Sequence, residues 1–116
     1  MWEIEFYESP TGECPTQDFL NGLYNDELPF VIRKLNLLEN HGNQLRRPHA
    51  DFLGDGIYEL RVRVIRKQIR LLYFFYGQSI IIISHGIRKE DKVPQAEIEK
   101  AKRHKAEYLS THRKKK

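Results

Sequence analysis

The sequence predicts an α+β domain with a mainly antiparallel sheet of about four strands. Two helices pack on one face, and a basic helix follows at the C-terminus. Three observations predict it. Residues 2–7 alternate apolar and polar side chains. Residues 57–85 hold three strand-like runs separated by short polar gaps. Two segments between these regions carry apolar residues at helical spacing. The resulting order is β-α-α-β-β-β-α.

Each element has a local cause. Trp2, Ile4 and Phe6 share one side of the first run, opposite Glu3, Glu5 and Tyr7, which is the period of a half-buried strand. Ser9-Pro10-Thr11-Gly12 ends it. Thr16 is placed to cap a short helix over 16–24 with Phe19, Leu20 and Leu23 on its apolar side. Asn25 or Asp26 is placed to cap a second helix, and Pro29 is tolerated in its first turn. Leu28, Val31, Leu35 and Leu38 then form a stripe that His41-Gly42-Asn43 stops. Residues 43–56 are polar, with Pro48, Gly54 and Gly56, and read as a loop. Strands follow at 57–65, 68–76 and 79–85, with Arg66-Lys67 and Gly77-Gln78 as the connecting turns. Pro94 opens the last helix, which runs to about Ser110 and has few apolar positions.

The chain has 116 residues and a mean hydropathy of −0.65, with 40% hydrophobic and 31% charged residues. This suits one globular domain over residues 1–112 and a basic, disordered tail over 113–116. The run 71–83 is interrupted by Gly77, Gln78 and Ser79 and is too short to span a bilayer. Residues 1–5 show neither a basic flank nor a long apolar run, so no signal peptide is expected from them, and the single Cys14 forms neither an internal disulfide nor a zinc site. A cytoplasmic protein is expected. The net charge of +4 is unevenly spread. Residues 1–30 carry Glu3, Glu5, Glu8, Glu13, Asp18, Asp26 and Glu27 and no Lys or Arg. Residues 57–116 carry sixteen Lys and Arg against six acids, the footprint of a polyanion partner.

Strand alternation places Tyr58, Leu60, Val62 and Val64 on one face, with Ile69, Leu71, Tyr73 and Phe75 from the next strand. The opposite face collects Glu59, Arg61, Arg63 and Arg70. With two-residue turns, Arg63 would face Arg70, and Arg70 would face His85. A row of like charges across a ladder is unfavourable unless an anion neutralises it. One reading is therefore a phosphate-binding surface, for which guanidinium groups are suited. The other is that the row splays into solvent or pairs with the acidic N-terminal segment. His85 is likewise either a proton donor or acceptor or a core-edge residue. Beside two arginines its pKa should fall. Arg88, Lys89 and Lys92 follow in a loop suited to a nucleic-acid backbone, and Phe74 or Tyr76 is a candidate stacking ring. No phosphate-loop, dinucleotide or metal motif occurs.

Three segments together resemble the RelE/ParE toxin superfamily, and within it the HigB-type, phage-derived branch. They are residues 53–62 (LGDGIYELRV), 68–75 (QIRLLYFF) and 84–94 (SHGIRKEDKVP), continued by 97–101 (EIEKA). The likeness covers nearly the whole chain and keeps its element order. It departs from the family pattern at Arg88-Lys89, more often two lysines, and at Val93, usually threonine. It implies the toxin of a type II toxin–antitoxin system: a ribosome-dependent, metal-independent endoribonuclease in which the RNA's own 2′-hydroxyl attacks the phosphate. No cofactor is then expected. By position, Arg61 and Arg70 match the family's arginines. Arg63 and Arg70 are assigned to the scissile phosphate, and His85 or Glu59 to proton transfer. Arg66, Lys67, Arg88, Lys89 and Lys92 are assigned to messenger or ribosomal RNA. The implied partners are the ribosome, mRNA and a small helix-turn-helix, HigA-like antitoxin in a heterotetramer or larger complex, with no membrane. Two other readings stand beside this one: a noncatalytic, ParE-like gyrase inhibitor, and an inactive nucleic-acid or antitoxin-binding module.

Overall fold

The computed structural model describes residues 1–88 and 91–112, so Lys89 and the basic tail lie outside the described residues. The strands are β1 (Glu3–Phe6), β2 (Ala50–Gly54), β3 (Ile57–Val64), β4 (Lys67–Tyr76) and β5 (Ile80–Arg88). The helices are α1 (Pro15–Asn21), α2 (Leu28–His41) and α3 (Gln95–His112). One five-stranded sheet runs β1-β5-β4-β3-β2, with β1 parallel to β5 and the other pairs antiparallel. The α+β class and the helix positions are as expected. The order differs by one strand, because part of the 43–56 segment is β2. Asp51, Gly54 and the preceding Pro48 hide it: the segment lacks clean alternation, and β3 supplies its pairing through Ala50↔Leu60 and Phe52↔Tyr58.

Both faces of the sheet are covered, which explains the unbroken apolar runs in β4 and β5. Leu60, Val62, Val64, Ile69, Leu71, Tyr73, Ile81 and Ile83 pack against Val31, Leu35 and Leu38 of α2, with α1 alongside. On the other face Ile57, Leu72, Phe74 and Ile82 pack against Val93 and against Ile98, Ala101 and Tyr108 of α3. The second face is thus largely an apolar seat for α3 rather than an open cationic surface. Pro29 sits in the first turn of α2, as expected. Thr16 does not cap α1. It lies inside the first turn, fully buried, and its hydroxyl donates to the Ile83 carbonyl at 3.2 Å.

The hairpin registers differ from those drawn from the gaps. The first turn is Ile65-Arg66, with Ile65 at φ +53°, so Arg61 faces Arg70 and Arg63 faces Gln68. The shift is by two residues, so every side chain stays on its expected face. The second turn has three residues, and a bulge follows between Leu72 and Tyr73. Beyond it Leu72 faces His85 and Arg70 faces Ile87. A bulge re-aims the strand, and here it separates His85 from Arg70.

Gly86 in β5 lies directly under the ring of Phe19 on α1, where a Cβ would be driven into the ring. Gly86→Ala is expected to destabilise the fold by about 1–3 kcal/mol through overpacking. Urea unfolding checks this, and Phe19→Leu in the same chain should recover part of the loss.

Candidate functional site

Glu59 and Arg61 lie two apart on β3 and so share a face, and Arg70 of β4 lies directly across from Arg61. The Glu59 carboxylate holds both guanidinium groups. Arg70 Nη1 donates to Oε1 at 2.5 Å, and Arg61 Nε and Nη2 donate to Oε2 at 3.2 and 3.1 Å. Arg61 Nη2 also donates to Asp51 Oδ2 at 3.2 Å, and Arg47 pairs with the same oxygen at 2.9 Å. Glu59 and Arg70 are nearly inaccessible, at 2% and 6% exposure, whereas Arg61 is partly open. The cationic row is therefore compensated from within by Glu59 and Asp51.

These residues floor a cleft of about 660 Å³ whose wall is the start of α3. Asp51, Phe52, Glu59, Arg61 and Arg70 line it on the sheet side, and Lys92 and Gln95 on the helix side. Phe52 is 56% exposed at its rim and leans on Tyr58 with ring centroids 5.0 Å apart. That pair offers the exposed ring sought in β4. Phe74 is buried against Tyr108, and Tyr76 packs on Tyr108 and donates to the His112 carbonyl. Arg63 does not reach this cleft. It lines an adjoining pocket with Lys34, Pro48, Arg61 and Gln68.

His85 is apart from the arginines. At 2% exposure it sits between β5 and α3, with Nε2 2.9 Å from Glu97 Oε1 and Nδ1 2.8 Å from Ser84 Oγ. Ser84 Oγ is also 2.8 Å from His104 Nδ1, and Tyr7 stacks on the His104 ring. One proton assignment satisfies the string: His85 Nε2–H donates to Glu97, Ser84 donates to His85, and His104 Nδ1–H donates to Ser84. The His85 pKa is lowered, as expected, but burial is the cause, opposed by Glu97.

The residues expected to grip RNA divide into groups. Arg88 forms a two-pronged pair with Glu27, one arm at 2.7 Å. Lys67 reaches the same carboxylate at 3.3 Å, and both cations lie over the Tyr24 ring. Glu27 is fully buried, and its hydrogen bond from Arg88 holds its pKa down to about 2. Arg66 is exposed in the β3–β4 turn, Lys92 joins the cleft, and Lys89 is outside the described residues. Glu27, Asp51, Asp91 and Glu97 are carboxylates of these clusters that the sequence does not mark out. The acid-only N-terminal quarter was the available signal for Glu27, since it favoured internal pairing.

Residues 18–106 match the family model described as phage-derived protein Gp49-like (DUF891). The chain belongs to the Gp49-like family. The match runs from α1 into α3 and so includes Glu27, Glu59, Arg61, Arg70 and His85 of the Gp49-like chain. A search of curated proteins finds no match.

The His85–Ser84–His104 string makes this Gp49-like fold sensitive to mild acid. Burial pulls the His104 pKa down to about 4 from 6.5, helped by His85, Lys100 and Arg103. The unfolded chain binds a proton at His104 that the folded chain does not, so stability rises with pH between about 4 and 6.5. This contribution is complete above 6.5 and is lost as pH falls. Glu27 adds a separate loss at lower pH, as its carboxylate becomes protonated. Urea midpoints measured across this range should fall toward acid, and His104→Gln should flatten the upper part of the curve.

Proposed function

We propose that this Gp49-like protein is the toxin of a type II toxin–antitoxin pair, and that it cuts messenger RNA on the ribosome. The observation that carries this reading is the convergence of Arg61 and Arg70 on Glu59 at the floor of an open cleft, with Lys92 opposite. Cleavage through the RNA's own 2′-hydroxyl asks little of the protein: alignment, stabilisation of the phosphorane and transfer of two protons. Arg61 offers its guanidinium to the phosphoryl oxygens, and Arg70 keeps Glu59 and Arg61 in place while adding positive potential. The 2′-oxygen bonds to phosphorus, the P–O5′ bond breaks, and the products are a 2′,3′-cyclic phosphate and a free 5′-hydroxyl. Three carboxylates line the cleft, Asp51, Glu59 and Asp91. Glu59, which touches both guanidinium groups, is assigned to take the 2′ proton, and Lys92 or water supplies one to the departing oxygen. His85 does not line this cleft and is held between β5 and α3 by Glu97 and Ser84, so its place is structural. Phe52, backed by Tyr58, gives a flanking base a surface to stack on. A helix-turn-helix antitoxin with an acidic segment complements the basic half.

Inducing the wild-type chain in bacteria and mapping message ends tests the reading. Cuts within translated mRNA are expected, and Arg61→Ala and Arg70→Lys should each reduce cutting by about 10²–10³-fold. Double-strand DNA breaks with intact message would instead mark a gyrase poison. Normal growth with intact message would leave only a binding module.

A further inference from the structure

Beside the cleft lies a pocket of about 350 Å³ lined by Lys34 of α2, Pro48, Arg61 and Arg63 of β3, and Gln68 of β4. It shares Arg61 with the cleft, so the two pockets adjoin at that side chain. Its lining has three cations and no carboxylate. Arg61 is compensated by Glu59 and Asp51 on its cleft side. Among the described residues, neither Lys34 nor Arg63 forms an ion pair.

The Lys34 ammonium has one hydrogen-bond partner among the described residues, His49 Nδ1 at 2.7 Å. An ammonium only donates, so His49 must accept there and stay neutral. Burial lowers the Lys34 pKa, and burial together with Lys34 and His41 lowers that of His49. The two groups thus compete for positive charge in a place that supplies no anion. Gln68, which also lines the pocket, has its Oε1 buried without a hydrogen-bond partner. Three elements bring these groups together at a cost that an entering phosphate would relieve.

We propose that the Lys34–Arg61–Arg63 pocket is a second phosphate subsite, which holds an RNA strand at a phosphate neighbouring the one in the cleft. The assignment of the polyanion as RNA rests on the proposed function; the pocket's affinity for phosphate does not. Lys34 is the positioning cation, Arg63 supplies a two-pronged contact, and His49 sets where the ammonium points.

The test is binding of a 2′-O-methyl oligoribonucleotide of about eight residues, which cannot be cut, to the full chain at several salt concentrations. Lys34→Gln and Arg63→Gln should each weaken binding roughly fivefold at moderate salt. Each should also lower the slope of log affinity against log salt by about 0.7, the value for one contact to a single strand. Lys34→Arg should retain the slope, and Arg103→Gln, which lines neither pocket, should leave it unchanged. If Lys34→Gln and Arg63→Gln leave affinity and slope as in the wild type, the subsite is overturned, even if the wild type cuts message. A Lys34-dependent slope in a chain that cuts no message would uphold the subsite and reject the nuclease reading.

Discussion

Two guanidinium groups directly across an antiparallel ladder repel each other, and one of them, on Arg70, is almost entirely withdrawn from water. A charge so placed persists only if a counter-charge is built beside it. Glu59 is that counter-charge. Its position is set by the sheet itself: two residues before Arg61 on the same face, and diagonally across from Arg70. A one-residue slip of β3 against β4 would send Glu59 to the α2 side. A two-residue slip in one direction would set Arg63 against Arg70 and carry Glu59 away, and in the other it would set Glu59 against Arg70 and carry Arg61 away. Register, burial and the arrangement of cations are therefore one constraint. The cleft takes its form from it, with Asp51 completing the shell from β2.

The same face shows how a helix with few apolar positions stays docked. Only Ile98, Ala101 and Tyr108 of α3 are buried. Polar contacts supply the rest: Glu97 on His85, His104 on Ser84, and Tyr108 on Glu5. The bulge in β5 makes the first two possible by bringing Ser84 and His85 together on the α3 side. The start of α3 that these contacts seat is also one wall of the cleft. The Glu27–Arg88 pair does similar work at the far end of β5, tying the start of α2 to the sheet.

The faces of β3 and β4 were legible in the sequence because alternation is a local property; those of β5 were not, since its turn and bulge set Ile83 opposite Tyr73 on the α2 side. Leu60, Val62 and Val64 fall on the α2 side whichever even register is drawn. The helices were legible from the Leu28–Leu38 stripe and from Pro94. Registers were not, because they depend on turn geometry, and Ile65 at positive φ is not a turn residue that composition suggests. The bulge that parts His85 from Arg70 has no sequence mark other than the small Ser84. β2 was hidden because an edge strand borrows its order from its neighbour. Arg61, Arg70 and Glu59 were legible as a group, but strand alternation alone does not show how far Glu59 and Asp51 neutralise the two guanidinium groups from within.

A double-mutant cycle on Glu59 and Arg70 probes this constraint most directly. Stability is measured by urea unfolding for the wild type, Glu59→Gln, Arg70→Met and the double variant. If the carboxylate and the guanidinium are one unit, the double variant should lose less than the sum of the single losses by about 1–3 kcal/mol. Losses that add to within about 0.5 kcal/mol would show two independent side chains and contradict the account.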